Sequence, residues 1–139
     1  MKTFGWTAAT TALAMAAALA GTSAVSAKKD AAPPASAFTP IERFAISYDS
    51  PRDMAEFYLR DFGIRPRDAD FDESRDPADP NIKVMLVTVN GIADDSVKGI
   101  QMRLGLRASQ GGWETIEAGV RRKCRRGDEA GNWTKSVCP

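Results

Sequence analysis

The 139 residues carry 19 Lys+Arg against 18 Asp+Glu, two cysteines and no histidine, a length that holds one domain. The missing histidine excludes Ser-His-Asp and Cys-His nucleophiles, histidine general bases and histidine metal ligands, and two cysteines alone make no structural zinc site. A hydrophobic content of 43% with 27% charged residues belongs to a globular chain and is too apolar for a disordered one.

The first 27 residues read as an export signal. Lys2 gives a positive start, Thr7 to Ala20 is an unbroken small and apolar run, and Val25-Ser26-Ala27 is a small-residue cleavage pattern. The run is shorter than the ~20 apolar residues a membrane span needs, so no transmembrane segment is expected after cleavage. Cleavage after Ala27 removes one lysine and no acid, leaving 18 basic and 18 acidic side chains. That neutrality hides a polarity. Residues 42–79 hold eleven acids and six arginines, whereas residues 97–139 hold nine bases and four acids. Such halves attract on folding or present two faces of opposite sign.

Residues 28–37, KKDAAPPASA, read as a flexible or polyproline-like leader. Thr39-Pro40-Ile41-Glu42 has the form of a capping box, and Ile41, Phe44, Ala45 and Tyr48 follow at one-face helical spacing. The competing strand places Phe44, Ile46 and Tyr48 in alternation; a short helix is expected. A second helix starts at Ser50-Pro51-Arg52-Asp53, with Ser50 as cap and Pro51 in the first turn. Met54, Phe57, Tyr58 and Phe62 form its buried stripe, and Gly63 ends it with Ile64 packing back.

Residues 65–80 are polar, acidic and punctuated by Asp76-Pro77 and Asp79-Pro80, which predicts a long loop with room for one short strand. IKVMLVTV, residues 82–89, reads as a largely buried strand. Ile100, Met102, Leu104 and Leu106 alternate with Gln101, Arg103, Gly105 and Arg107, so one face meets a core and the other solvent. Ser109-Gln110-Gly111-Gly112 supplies a hairpin turn. Residues 113–124 form the third strand, with Ile116, Ala118 and Val120 inward and a bulge near Glu114 or Thr115 to accommodate Trp113. The remainder is an irregular tail, with room there too for the one short strand. In an exported chain, an even cysteine count reads as a disulfide, and Cys124 with Cys138 is the one intramolecular pairing available. It closes a loop of about 15 residues, worth about 3 kcal/mol in the chain-entropy model. A redox pair is the alternative, but catalytic pairs usually sit closer, as in Cys-x-x-Cys.

The fold class is therefore α+β: one or two short N-terminal helices on an antiparallel meander of three to four strands, residues 38–139 forming a single domain with a stapled tail. Asp94-Asp95-Ser96-Val97, Gly112-Trp113, Lys123-Cys124-Arg125-Arg126-Gly127, Trp133 and Cys138 occur in that order. This ending resembles small exported bacterial proteins of unknown function, over about residues 82–139. The resemblance implies an envelope location and the Cys124–Cys138 bridge. A helix start followed by long strands and a Gly-Trp hairpin is also similar to cystatin-like and nuclear transport factor 2-like α+β folds, which carry a longer helical part and another strand.

Two clusters offer binding chemistry. Asp68, Asp70 and Asp72 alternate, with Asp76 and Asp79 at the ninth and twelfth places, a spacing by which calcium loops converge on one cation. Glu73 stands where the turn glycine belongs, and a solvated acidic loop is the plainer explanation. Arg121, Arg122, Lys123, Arg125 and Arg126 form a dense basic run, suited to an envelope protein or an anionic glycan, or else to a solvated face paired with the acidic half. The export signal and the mature neutrality disfavour nucleic acid. Asp94 and Asp95 suit a turn better than a carboxylate pair for glycoside chemistry. Trp113 and Trp133 suit core packing better than a sugar platform. The expected role is a non-catalytic binding or inhibitor protein of the cell envelope, periplasmic or extracellular, without a cofactor unless the acidic loop takes calcium. A carboxylate-based enzyme acting on cell-wall glycans and a structural envelope component are the alternatives.

Overall fold

The computed structural model describes residues 31–139. The export signal expected at residues 1–27 and the start of the leader at 28–30 lie outside the described residues. Eight elements follow in order: β1 (Thr39–Pro40), β2 (Ser47–Tyr48), α1 (Pro51–Asp61), β3 (Asp70–Arg75), β4 (Ile82–Asn90), β5 (Val97–Ser109), β6 (Gly112–Cys124) and β7 (Trp133–Thr134). All seven strands join one antiparallel sheet of order β1-β6-β5-β4-β3, with β2 and β7 also on β6. Among the described residues the architecture is α+β, with one α-helix, within the one or two expected, and seven strands rather than three or four.

α1 forms for local reasons. The Ser50 hydroxyl accepts a hydrogen bond from the Asp53 N–H at 3.1 Å, and Pro51 opens the first turn. At the far end Gly63 adopts φ +71°, its N–H reaches the Arg60 carbonyl at 2.9 Å, and the Ile64 N–H reaches that of Leu59 at 2.9 Å. Those two bonds satisfy carbonyls the helix leaves open, and the left-handed turn suits glycine. Met54, Ala55, Tyr58 and Leu59 then bury one stripe against β4, β5 and β6, where Met85, Val87, Met102, Leu104, Leu106, Ala118 and Val120 complete the core.

The helix expected from Ile41 to Tyr48 does not form. Thr39 and Pro40 pair with Val120 and Gly119 of β6, residues 41–46 run irregularly, and Ser47 and Tyr48 rejoin β6 opposite Glu114 and Trp113. The reason lies in the sheet. The outer edge of β6 needs partners for its backbone groups, and a helix here would supply none. Even the irregular stretch serves that edge, through the Ile41 N–H to the Ala118 carbonyl (3.0 Å) and Arg43 Nη1 to that of Ile116 (2.9 Å). Phe44 still packs on the helix, edge-on to Phe57 at 5.1 Å and Tyr58 at 5.3 Å, while its N–H donates to the Tyr58 hydroxyl.

The short strand for which residues 65–80 left room is β3. β3 pairs along its whole length with β4, from Asp70 opposite Thr88 to Arg75 opposite Lys83. The bulge in β6 falls at Ile116, since Glu117 opposes Gly105 and Thr115 opposes Leu106. Thr115, not Ile116, is therefore the inward neighbour of Ala118, and Trp113 keeps register with it. Cys124 and Cys138 form the expected disulfide, with Cα atoms 5.3 Å apart. Among the described residues no helix is long and apolar enough to cross a membrane.

The Ser50 cap yields a direct test. Ser50→Ala leaves the Asp53 N–H without its acceptor and lowers unfolding free energy by about 1 kcal/mol in urea titration, with m unchanged.

Candidate functional site

A sheet has two faces, and α1 covers one. Side chains directly opposite share a face, so the register assigns the other. Asp70, Thr88, Gln101 and Arg121 stand in one row across β3, β4, β5 and β6; Asp72, Leu86, Arg103 and Gly119 stand in the next. The alternation along β5 predicts a solvated face here, yet Gln101 is 6% and Arg103 only 3% exposed. The cover comes from the segment read as a flexible leader. Residues 35–37 form a 3-10 turn, Phe38 is buried, and its Cβ lies so near Gly119 that a Cβ there would sit 2.7 Å away. Glycine at position 119 makes the floor on which Phe38 rests.

Arg103 anchors this cover. Its Nε donates to the Pro33 carbonyl at 2.9 Å, Nη2 to Asp76 Oδ2 at 2.7 Å and Nη1 to Glu117 Oε1. A buried guanidinium needs such acceptors, because desolvation without them costs several kcal/mol. Asp76 meanwhile accepts from the N–H groups of Ala78 (2.8 Å) and Asp79 (3.2 Å).

Arg121 is the other cation of the face, and its surroundings differ. Its Nε donates to Gln101 Oε1 at 2.8 Å, and Gln101 Nε2 donates onward to Thr88 Oγ1 at 2.8 Å. The guanidinium carbon lies 4.7 Å from the Phe38 ring centre and 5.6 Å from that of Trp133. Trp133 is brought there by β7, opposite Lys123, whose ammonium sits 4.7 Å over the same ring. Among the described residues no carboxylate pairs with Arg121, and burial lowers its pKa with no opposing charge to raise it. Its side chain remains a cation, as arginine does in proteins. Two aromatic faces and a neutral amide hold it, and its Nη edge carries the donors left for a ligand.

The basic run is thereby divided. Arg121 and Lys123 share the back face, whereas Arg122 stands opposite Ile100 on the helix side. Arg125 works as a buckle, donating from Nε to the Asp94 carbonyl (2.8 Å) and from Nη2 to that of Ile92 (2.7 Å). Arg126 donates to the Pro139 carbonyl at 3.0 Å.

The five aspartates of the calcium reading are dispersed by the fold. Asp68 lies in a 3-10 turn, 2.9 Å from Arg65 Nε; Asp70 and Asp72 lie on β3; Asp76 binds Arg103; Asp79 accepts from the Asn81 N–H at 3.0 Å. Among the described residues no group of three or more acids or cysteines is placed to hold a metal ion. An extended β3 points Asp70 and Asp72 along one face at strand spacing, which does not wrap a cation as a loop does. Asp94 closes a turn, accepting from the N–H groups of Ser96 (2.8 Å) and Val97 (2.7 Å). Those two N–H groups, Val97 first, hold its carboxyl below the ordinary range. Trp113 packs against the core, with Lys83 over its ring at 4.8 Å.

Phe38, Gln101 and Thr88 were missed as site residues because their roles depend on pairing between distant strands. The available signal was Gly119 on the face opposite Ala118 and Val120, a bare position that needs covering. No family model matches the chain, and no curated protein or solved structure matches it.

Arg103 and Asp76 give a paired test. Arg103→Met leaves two carboxylates and the Pro33 carbonyl without their donor, and lowers stability by about 3 kcal/mol. The Ala78 N–H, with the Arg103 guanidinium, holds the Asp76 carboxyl below its ordinary 3.8. An acid lowered in this way stabilises the fold above its unfolded pKa and loses that contribution as pH falls through the folded one. The wild type therefore loses stability on acidification below about pH 4, and Asp76→Asn shows a shallower loss. Melting temperature against pH for the two proteins measures the difference.

Proposed function

We propose that this chain is a non-catalytic binding domain of the cell envelope, and that it captures an anionic group on the back face of its sheet. The carrying observation is Arg121: a half-buried guanidinium fixed between Phe38 and Trp133, hydrogen-bonded to a neutral Gln101, with no described carboxylate paired to it. A cation so placed has lost part of its hydration and has no charged partner in return, so an incoming carboxylate, sulfate or phosphate has less water to displace. Lys123 adds a second positive charge on the same face, two residues along β6. The flanking rings hold the fork in one orientation, which reduces the ordering cost of binding.

The envelope location rests on the signal pattern of residues 1–27 and is supported by the Cys124–Cys138 bridge, a bond kept in oxidising compartments. Ligand class follows from charge: an anionic glycan or an acidic segment of an envelope protein, the same acceptor chemistry in both.

Titration calorimetry at low salt with dextran sulfate, polygalacturonate and polyphosphate tests this reading. At least one of the three binds, and Arg121→Gln weakens it about tenfold, roughly the loss of one charge-assisted contact. Arg60→Gln, on the exposed side of α1, removes the same charge and leaves affinity unchanged. Arg125→Gln loosens the 92–96 turn and lowers stability by about 1 kcal/mol without changing affinity. Equal weakening by Arg121→Gln and Arg60→Gln, or no binding of any polyanion, rejects the site.

A further inference from the structure

Resting on the Arg121 reading, we propose that the Cys124–Cys138 disulfide is a redox latch on the anion-binding face. Reduction by a dithiol frees the Trp133 wall, removes the tail's brace on the Phe38 wall and turns binding down.

The tail supplies one wall and braces the other. Trp133, one wall, belongs to β7, a strand of two residues paired to Arg122 and Lys123. So short a strand does not hold itself in place by its own ladder bonds. Phe38, the other wall, is bracketed by bonds to Lys135: the Thr39 hydroxyl donates to the Lys135 carbonyl at 2.9 Å, and Lys135 Nζ donates to the Ser36 carbonyl at 3.3 Å. Lys135 sits between Trp133 and Cys138, inside the loop that the bridge closes over a sequence separation of 14. One covalent bond thus restricts the segment that supplies one wall and ties down the other.

The bridge is also open to exchange. Cys124 is buried, whereas Cys138 is half-buried between Pro139 and Val137, itself 84% exposed. A small dithiol attacks as its thiolate at Cys138 Sγ. The S–S bond breaks, and Cys124 Sγ leaves as a thiolate that takes a proton. The reductant's second thiol then displaces Cys138 from the mixed disulfide, so the reductant ends as a cyclic disulfide and the protein as two thiols. The domain does not depend on the tail for its core: the buried cluster under α1 contains no residue beyond Val120. The reduced chain keeps the sheet and the helix and loses the arrangement around Arg121.

The experiment compares the oxidised protein, the same protein in dithiothreitol, and a Cys124→Ser/Cys138→Ser variant, using whichever of the three polyanions binds the oxidised form. Reduction and the double variant each weaken binding at least tenfold, far-ultraviolet circular dichroism stays the same, and reoxidation restores affinity. Hydrogen exchange shows faster exchange of amides at 36–39 and 122–134 and unchanged protection along β4 and β5. Thr39→Val, which keeps the disulfide and removes one tie, weakens binding about threefold and serves if the double variant fails to fold. Undiminished binding by the reduced protein overturns the latch, and so does unchanged exchange at those amides. Failure of the oxidised protein to bind any polyanion rejects the Arg121 reading instead, while the exchange data still report on whether the tail is held by the bridge.

Discussion

A guanidinium cannot be taken out of water without acceptors, and Arg103 finds three from three separate parts of the chain. Glu117 comes from the neighbouring strand, Asp76 from the turn between β3 and β4, and the Pro33 carbonyl from a segment 70 residues away. Each of these is also the reason something else is where it is. Binding Asp76 fixes the turn that closes the β3–β4 hairpin. Binding Pro33 brings the N-terminal segment across the sheet, which seats Phe38 on Gly119 and so creates one wall of the Arg121 site. The back face is thus organised from a single buried charge, whereas the helix face is organised by apolar burial.

The edges of the sheet are treated just as unequally. On the β6 side β2, β1 and β7 pair with consecutive stretches of the strand, and Ile41 and Arg43 bond the carbonyls between them. This explains why two-residue strands occur at all: they complete the hydrogen bonding of a thirteen-residue partner. On the other side β3 ends the sheet, and its sequence DFDESR is charged on both faces. Charged edges resist pairing with other chains, a common protection for an open strand.

The parts of this fold legible in the sequence are the parts with local causes. Ser50, Pro51 and Gly63 mark the two ends of α1 by capping rules that involve neighbours only. The alternation along residues 100–107 marks β5, and cysteine arithmetic marks the bridge. The failures have non-local causes. Ile41, Phe44, Ala45 and Tyr48 match a helical period, yet the edge of β6 supplies hydrogen bonds that the helix would forgo. Asp70 and Asp72 are poor strand formers, but β4 offers a ladder along the whole of β3 and overrides the propensity. Of the site, Arg121 and Lys123 on one face could be read from period two. The aromatic walls could not, because Phe38 and Trp133 reach Arg121 from opposite ends of the domain.

Sheet order also explains why Arg121 has no carboxylate partner among the described residues in a chain with 19 Lys+Arg and 18 Asp+Glu. The aspartates that the acidic half places on the sheet lie in β3, Arg121 lies in β6, and β4 and β5 stand between those two strands. Three strand spacings separate the two by about 14 Å, more than a Debye length at ordinary ionic strength. The halves meet at Arg103 with Asp76, and more loosely at Arg107 with Asp79 at 3.9 Å. Other described ion pairs lie within one half, as in Arg65 with Asp68, or join the acidic half to β4, as in Lys83 with Glu73. A different strand order would have laid aspartates against Arg121. This one keeps Asp70 at the far edge of the same row, so the face runs from Asp70 through neutral Thr88 and Gln101 to a cation with no carboxylate partner among the described residues. Charge polarity along the sequence has become charge polarity across a sheet, and its positive end is where an anion finds least competition.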